Sequence, residues 1–202
     1  MVRRLGLVAE FEEDRLMTSK TGSDAAVPTH SARRLLPWVF LLAAGVVAVD
    51  QFTKWWAETS LLRGEATPVL GEFIQWRLFY NPGAAFGLAA EFTWVLTVVA
   101  GLAVVGLVVL AARVLTRSWA IGVGVLLGGA VSHLGDRLLR EPGFGRGHIV
   151  DFIDYYGLFV GNVADIALVG GAGFVVLLSL IGVDLRPGQA PRRTLRPSPE
   201  LR

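Results

Sequence analysis

The stretch Phe92-Thr-Trp-Val-Leu-Thr-Val-Val-Ala-Gly-Leu-Ala-Val-Val-Gly-Leu-Val-Val-Leu-Ala-Ala112 carries no charged residue. About 20 apolar residues in a helix cross the hydrocarbon core of a bilayer, so this stretch reads as a transmembrane helix. Three more stretches approach that length. Leu35 to about Trp56 is uncharged as far as Val49 and then meets Asp50 and Lys54. Ser118 to Gly135 ends at Asp136. The fourth begins near Asn162, meets Asp165 at once, and is uncharged from Ile166 to Val183. Composition agrees: 53% of the 202 residues are hydrophobic and 18% charged, where a soluble domain has about 25% charged. Mean hydropathy is +0.54. The expected fold class is an all-α membrane protein with four transmembrane helices. A disordered chain and a nucleic-acid-binding arm are excluded. With no Cys there is no disulfide, thiolate nucleophile or Cys-ligated metal.

Three segments follow. Residues 1–34 are polar and mixed in charge, and are expected to be a disordered cytoplasmic extension. They hold no apolar h-region, so no cleaved signal peptide is expected before the first span, and nothing before Met17 is needed by this reading. Residues 35–183 form the membrane domain. Residues 184–202, rich in Pro and Arg, are expected to be a second disordered cytoplasmic tail.

Orientation follows from arginines in the short loops. Arg113-Val-Leu-Thr-Arg117 joins the second and third spans without an acid, Arg33 and Arg34 precede the first span, and Arg186, Arg192 and Arg193 follow the fourth. The other two loops are mixed in sign. The positive-inside rule puts both termini in the cytoplasm. In the first outer loop, Ile74, Trp76 and Leu78 alternate with Gln75 and Arg77, a strand period. A strand needs partners, so a small sheet is expected on the outer surface. Tyr80-Asn-Pro-Gly83 is a turn signal, and Ala84–Leu88 is expected to dip toward the bilayer.

Ionisable groups inside lipid are costly and default to function. Span direction brings Asp50, Lys54, Asp136, Arg137 and Asp165 to the outer leaflet, although they are far apart in sequence. Asp50 and Lys54 are four apart on one helix face. Asp136 and Asp165 each lie within about one turn of a long apolar run. Two close carboxylates in a low dielectric share a proton, which equips them to hydrolyse an amide. Asp136 and Asp165 are therefore the expected catalytic pair. Ser132 and His133 adjoin each other and do not face one another on a helix. A metal site from His133, Asp136, His148 and Asp165 lacks a ligand spacing such as H-E-x-x-H. The rival readings are a Gly-Asp type intramembrane aspartic protease, suggested by Gly135-Asp136, and a small proton-coupled transporter using Asp50 or Asp165.

Four segments in order resemble the lipoprotein signal peptidases, also called type II signal peptidases. They are Val49-Asp-Gln-Phe-Thr-Lys54, Tyr80-Asn-Pro-Gly-Ala-Ala-Phe-Gly87, Gly128-Gly-Ala-Val-Ser-His-Leu-Gly-Asp-Arg137 and Asn162-Val-Ala-Asp165. The resemblance implies an aspartic endopeptidase of the bacterial inner membrane with its site at the extracytoplasmic face. It would cut diacylglyceryl-modified prolipoproteins before the lipidated Cys, with no metal or other cofactor and no nucleic acid, as a monomer blocked by globomycin-type inhibitors. It places the family dyad on Asp136 and Asp165. The other matching positions are Asp50, Lys54, Asn81, Gly83, Arg137, Asp151, Asn162 and Ala164. Two departures stand out. His133 occupies the place of the family's usual Asn, and is expected to replace it as a hydrogen-bonding partner. Gly161 stands where the family usually has Phe, which opens the wall of the site. A catalytically altered paralogue is the corresponding alternative.

Overall fold

The computed structural model describes residues 30–83 and 90–186, with side chains from residue 35. Ala84–Leu88 and most of the two expected tails fall outside these residues; of the tails, residues 30–34 are described as the start of the first helix, and residues 184–186 are also described. Among the described residues, four helices are long and apolar enough to span a membrane: α1 (His30–Ser60), α2 (Thr93–Ala111), α3 (Arg117–Leu139) and α4 (Val163–Leu180). A short 3-10 turn, Ala90–Phe92, leads into α2. The strands are β1 (Thr67–Leu70), β2 (Ile74–Asn81), β3 (Ile149–Tyr155) and β4 (Phe159–Gly161). They form one antiparallel sheet in the order β1-β2-β3-β4.

Helix α3 packs against the other three, and its glycines explain how closely. A Cβ on Gly128 would lie 2.6 Å from the Val46 Cβ of α1, and one on Gly129 would lie 2.8 Å from the Leu168 Cγ of α4. Adjacent residues on a helix point about 100° apart, so this pair wedges α3 between α1 and α4. Close approach through small residues is what drives helix association where lipid gives no hydrophobic force. Helix α3 also runs one turn beyond the expected Gly135, through Asp136 and Arg137, because both are buried and bonded within the protein.

The sheet draws on both the α1–α2 and the α3–α4 connections. The alternation at 74–80 locates β2, but its partner β3 comes from the second loop. Six of the seven β3 residues are buried, so that strand has no polar face to mark it. Val150 and Phe152 pack toward the end of α1, where Trp56, Trp76 and Phe152 meet with ring centroids 5.4–6.1 Å apart. Successive strand side chains point to opposite faces, so Ile149 and Asp151 face the other way. This seats the sheet on the end of the bundle where α1 finishes, and Asp151 lines the cavity between the helices.

Candidate active site

Two clusters of charge lie at this end. The first is closed. Lys54 Nζ lies 2.6 Å from Asp50 Oδ2 and 2.7 Å from Asp136 Oδ2, and none of the three side chains is more than 1% exposed. Asp136 Oδ1 accepts from Gln51 Nε2 at 2.9 Å and from Arg140 Nε at 2.8 Å. Arg140 also pairs with Glu58. Asp50 Oδ2 accepts from Ser132 Oγ at 2.6 Å, and Asp50 Oδ1 from the Ala164 backbone N–H at 2.8 Å. Every carboxylate oxygen of Asp50 and Asp136 thus has a donor. The cluster ties α1 to α3 and to the first turn of α4.

The second cluster is open. Asn162 precedes α4 and forms a reciprocal cap with Asp165: its Oδ1 accepts from the Asp165 N–H, and Asp165 Oδ2 accepts from the Asn162 N–H at 2.9 Å. This satisfies orphan donors of the helix start and fixes the Asp165 carboxylate at the electropositive end of α4. Asn162 is fully buried, and its Nδ2 donates to Asp151 Oδ1 at 2.7 Å. Asp151 Oδ2 accepts from Asn81 Nδ2 at 3.0 Å. Burial, and then the nearby Asp165 carboxylate, push the Asp151 carboxyl up to about 7, against the two asparagine donors. Arg137 donates to the carbonyls of Asn81, Pro82 and Gly147 at 2.9–3.1 Å, and to that of Gly83. It pins the turn that carries Asn81.

Asp151, Asp165, Asn81, Gly83, His133 and Arg137 line one cavity of about 490 Å³, which continues between α2 and α4 along Val99, Ala103 and Val169. A groove of about 830 Å³ between α1 and α3 is larger, but among the described residues Arg117 is its only charged wall residue and no acid lines it. Among the described residues, no three His, Asp or Glu side chains converge as a metal would require.

The cavity does not bring together the expected pair, Asp136 and Asp165. Asp136 is absent from the cavity wall, and its oxygens are taken up by Lys54, Gln51 and Arg140. The carboxylate that shares the cavity with Asp165 is Asp151. Asn81, Gly83, His133, Arg137 and Asn162 gather round that pair, whereas Asp50, Lys54 and Ala164 belong to the closed cluster. Three contributors escaped the sequence reading. Gln51 and Arg140 had a signal, since each shares a motif or a helix face with an expected residue. Gly147 had none: a Cβ there would lie 2.1 Å from the Asp136 carbonyl oxygen, so only glycine lets that loop pass over α3.

A four-span membrane protein with two carboxylates in a cavity under a sheet has the equipment of a membrane-embedded hydrolase. The sequence agrees with a particular one: the family model described as signal peptidase (SPase) II matches residues 42–181. The chain belongs to the signal peptidase II family. It is 43% identical over 164 residues to the lipoprotein signal peptidase of Mycobacterium avium (strain 104), covering 81% of this chain and 89% of that protein. It is 41% identical over 172 residues to that of Rhodococcus jostii (strain RHA1), covering 85% and 86%. A bacterial membrane enzyme solved in meso at 2.3 Å superimposes with a TM-score of 0.65 at 23% identity, over 77% of this chain and 95% of that one. A second, at 1.9 Å, gives 0.59 at 26% identity, over 71% and 93%. The chain is therefore a multi-pass membrane protease of bacterial lipoprotein processing. Membership replaces the transporter and Gly-Asp protease readings.

Proposed function

We propose that this chain is an aspartic endopeptidase that cuts diacylated prolipoproteins before the lipidated Cys, with Asp151 and Asp165 as its acid–base pair. The carrying observation is that these two carboxylates share the cavity beneath the sheet and that Asp151 holds a proton near neutrality. Asp165 takes a proton from water, whose oxygen attacks the scissile carbonyl carbon. Asp151 gives its proton to the carbonyl oxygen. On collapse the C–N bond breaks, Asp165 passes its proton to the leaving amine, and Asp151 recovers one from the hydroxyl. Asn81 and Asn162 hold Asp151, while Arg137 holds the Asn81 turn. Asp136, Asp50 and Lys54 act as scaffold.

The gap between α2 and α4 supports a membrane-borne substrate. Its apolar walls suit a signal peptide and acyl chains that stay in lipid, with the cut point at the outer leaflet. Both termini lie in the cytoplasm on this reading, the enzyme works as a monomer, and a globomycin-type inhibitor fills the same cavity. The test is the purified protein in detergent with a diacylated prolipoprotein. Mass spectrometry should find a product beginning at the modified Cys, and the unmodified precursor should be cut poorly. A product cut elsewhere, or equal cutting of both precursors, would refute the assignment. A periplasm-active reporter should be silent when fused after Arg117 and active when inserted at Gly64.

A further inference from the structure

His133 lines the cavity and plays no part in the steps above. It stands one turn after Gly129 on the face of α3 that meets α4, while Ser132 follows Gly128 on the face that meets α1. Its Nε2 lies 3.2 Å from Asn162 Oδ1 and 3.5 Å from Asp165 Oδ1. The surrounding bonds decide which atom carries the hydrogen. Asn162 Nδ2 donates to Asp151 Oδ1 and to the Val150 carbonyl, so the amide oxygen faces His133. An amide oxygen only accepts, so His133 Nε2 is the donor. The imidazole shares the cavity with its two acids, Asp165 and Asp151, and with Arg137; helix α2 brings no charge. The far side of Asp165 is equally defined. A Cβ at position 161 would lie 3.0 Å from Asp165 Oδ2, the oxygen bonded to the Asn162 N–H. His133 and Gly161 thus flank the two oxygens of one carboxylate.

We propose that His133 is a positioning residue for Asp165, and that it works only because Gly161 leaves the opposite side of that carboxylate bare. The Nε2–H fixes the Asn162 amide that bridges to Asp151 and stands beside Asp165 Oδ1. It thereby sets how the two carboxylates face each other. The proposal rests on Asp151 and Asp165 being the acting pair.

The test is steady-state cleavage of a diacylated prolipoprotein by full-length variants in detergent. His133→Ala should lower kcat by about tenfold or more and leave KM within roughly twofold, as loss of orientation does. His133→Gln places a neutral N–H near the position of Nε2 and should recover kcat to within about threefold of wild type. Gly161→Ala should lower kcat about as much as His133→Ala, and the double variant should lose less than the product of the two, since both act through one carboxylate. Wild-type kcat in His133→Ala overturns the proposal, as does a His133→Gln as slow as His133→Ala. Asp165→Asn separates this from the reading beneath it. An active Asp165→Asn refutes the pair itself; an inactive one beside a fully active His133→Ala refutes only the role of His133.

Discussion

Two groups of buried acids lie at the same end of this bundle, and Ser132-His133 and Asp136-Arg137 divide between them. On the α1 side, Asp50 and Asp136 enclose Lys54, and every oxygen is matched by a donor. On the α4 side, Asp151 and Asp165 have asparagines and a histidine for neighbours, face a cavity, and repel each other. Burial alone does not mark a catalytic carboxylate. A buried acid whose charge is answered by a cation is held for good. One hydrogen-bonded by neutral donors, next to a second acid and lining an open cavity, keeps a proton it can trade.

The sharpest way to break this contrast is to neutralise one acid on each side. Asp151→Asn and Asp165→Asn conserve volume, relieve a repulsion, and should accumulate as the wild type does. Each should lower cleavage by about 10⁴-fold or more, because the members of an acid–base pair do not fail separately. Asp136→Asn should behave otherwise. It leaves Lys54 and Arg140 short of a counter-charge, so the fault should appear first in yield and melting temperature. An Asp136→Asn protein that melts like the wild type but does not cut would return Asp136 to the chemistry.

The next largest effect is expected at Lys54. Lys54→Met keeps most of the volume and leaves Asp50 and Asp136 facing each other, both buried. Losing one partner of a buried pair costs about 3–5 kcal/mol. The measurement is the melting temperature in detergent, which should fall steeply. Wild-type stability would mean that the two acids do not need the ammonium, and the distinction between closed and open clusters would fail.

The open side makes a smaller prediction through pH. The Asp151 carboxyl sits near 7, raised by burial and by Asp165. As the acid of the pair it must be protonated, so kcat/KM should fall about tenfold per pH unit well above 7. The same shift affects stability with a definite sign. The folded state binds a proton there that the unfolded chain releases near 4, so this group is neutral to stability below about pH 4. It destabilises progressively as pH rises to about 7. Asp151→Asn should therefore stabilise the protein more at pH 8 than at pH 5. Equal gains at both would mean that Asp151 is ionised throughout.

The sequence made some of this plain and hid the rest. Charge-free runs located all four helices to within a few residues, and alternation located β2. Strand β3 could not be read, because burial of both its faces leaves no period. Asp151 therefore entered only through a resemblance, as a supporting residue. The choice of Asp136 shows a different limit. Span direction tells at which leaflet a helical residue ends up, but not which neighbouring helix it faces. Gly128-Gly129 held that information: each glycine marks one packed face, and Ser132 and His133 repeat the two faces one turn later. Only the packing identifies which face belongs to α1.

The smallest effect is expected at Ser132, and it tests the closed cluster from within. Its hydroxyl donates to Asp50 Oδ2 at 2.6 Å and accepts from Gln51 Nε2 at 2.9 Å, at a position only 1% exposed. A buried polar group usually costs more than a surface one to remove, because its partners are stranded. Neither partner of Ser132 is. Asp50 Oδ2 keeps Lys54 Nζ at 2.6 Å, and Gln51 Nε2 keeps Asp136 Oδ1 at 2.9 Å. Ser132→Ala should therefore cost only about 1 kcal/mol and leave cleavage within roughly threefold, read from the melting temperature and from kcat. The opposite result, a loss near that of Lys54→Met, would show that the hydroxyl and not the ammonium orients Asp50. Through the Asp50–Ala164 bond, the working machinery of Asp165 would then extend into the closed cluster, which would no longer be scaffold alone.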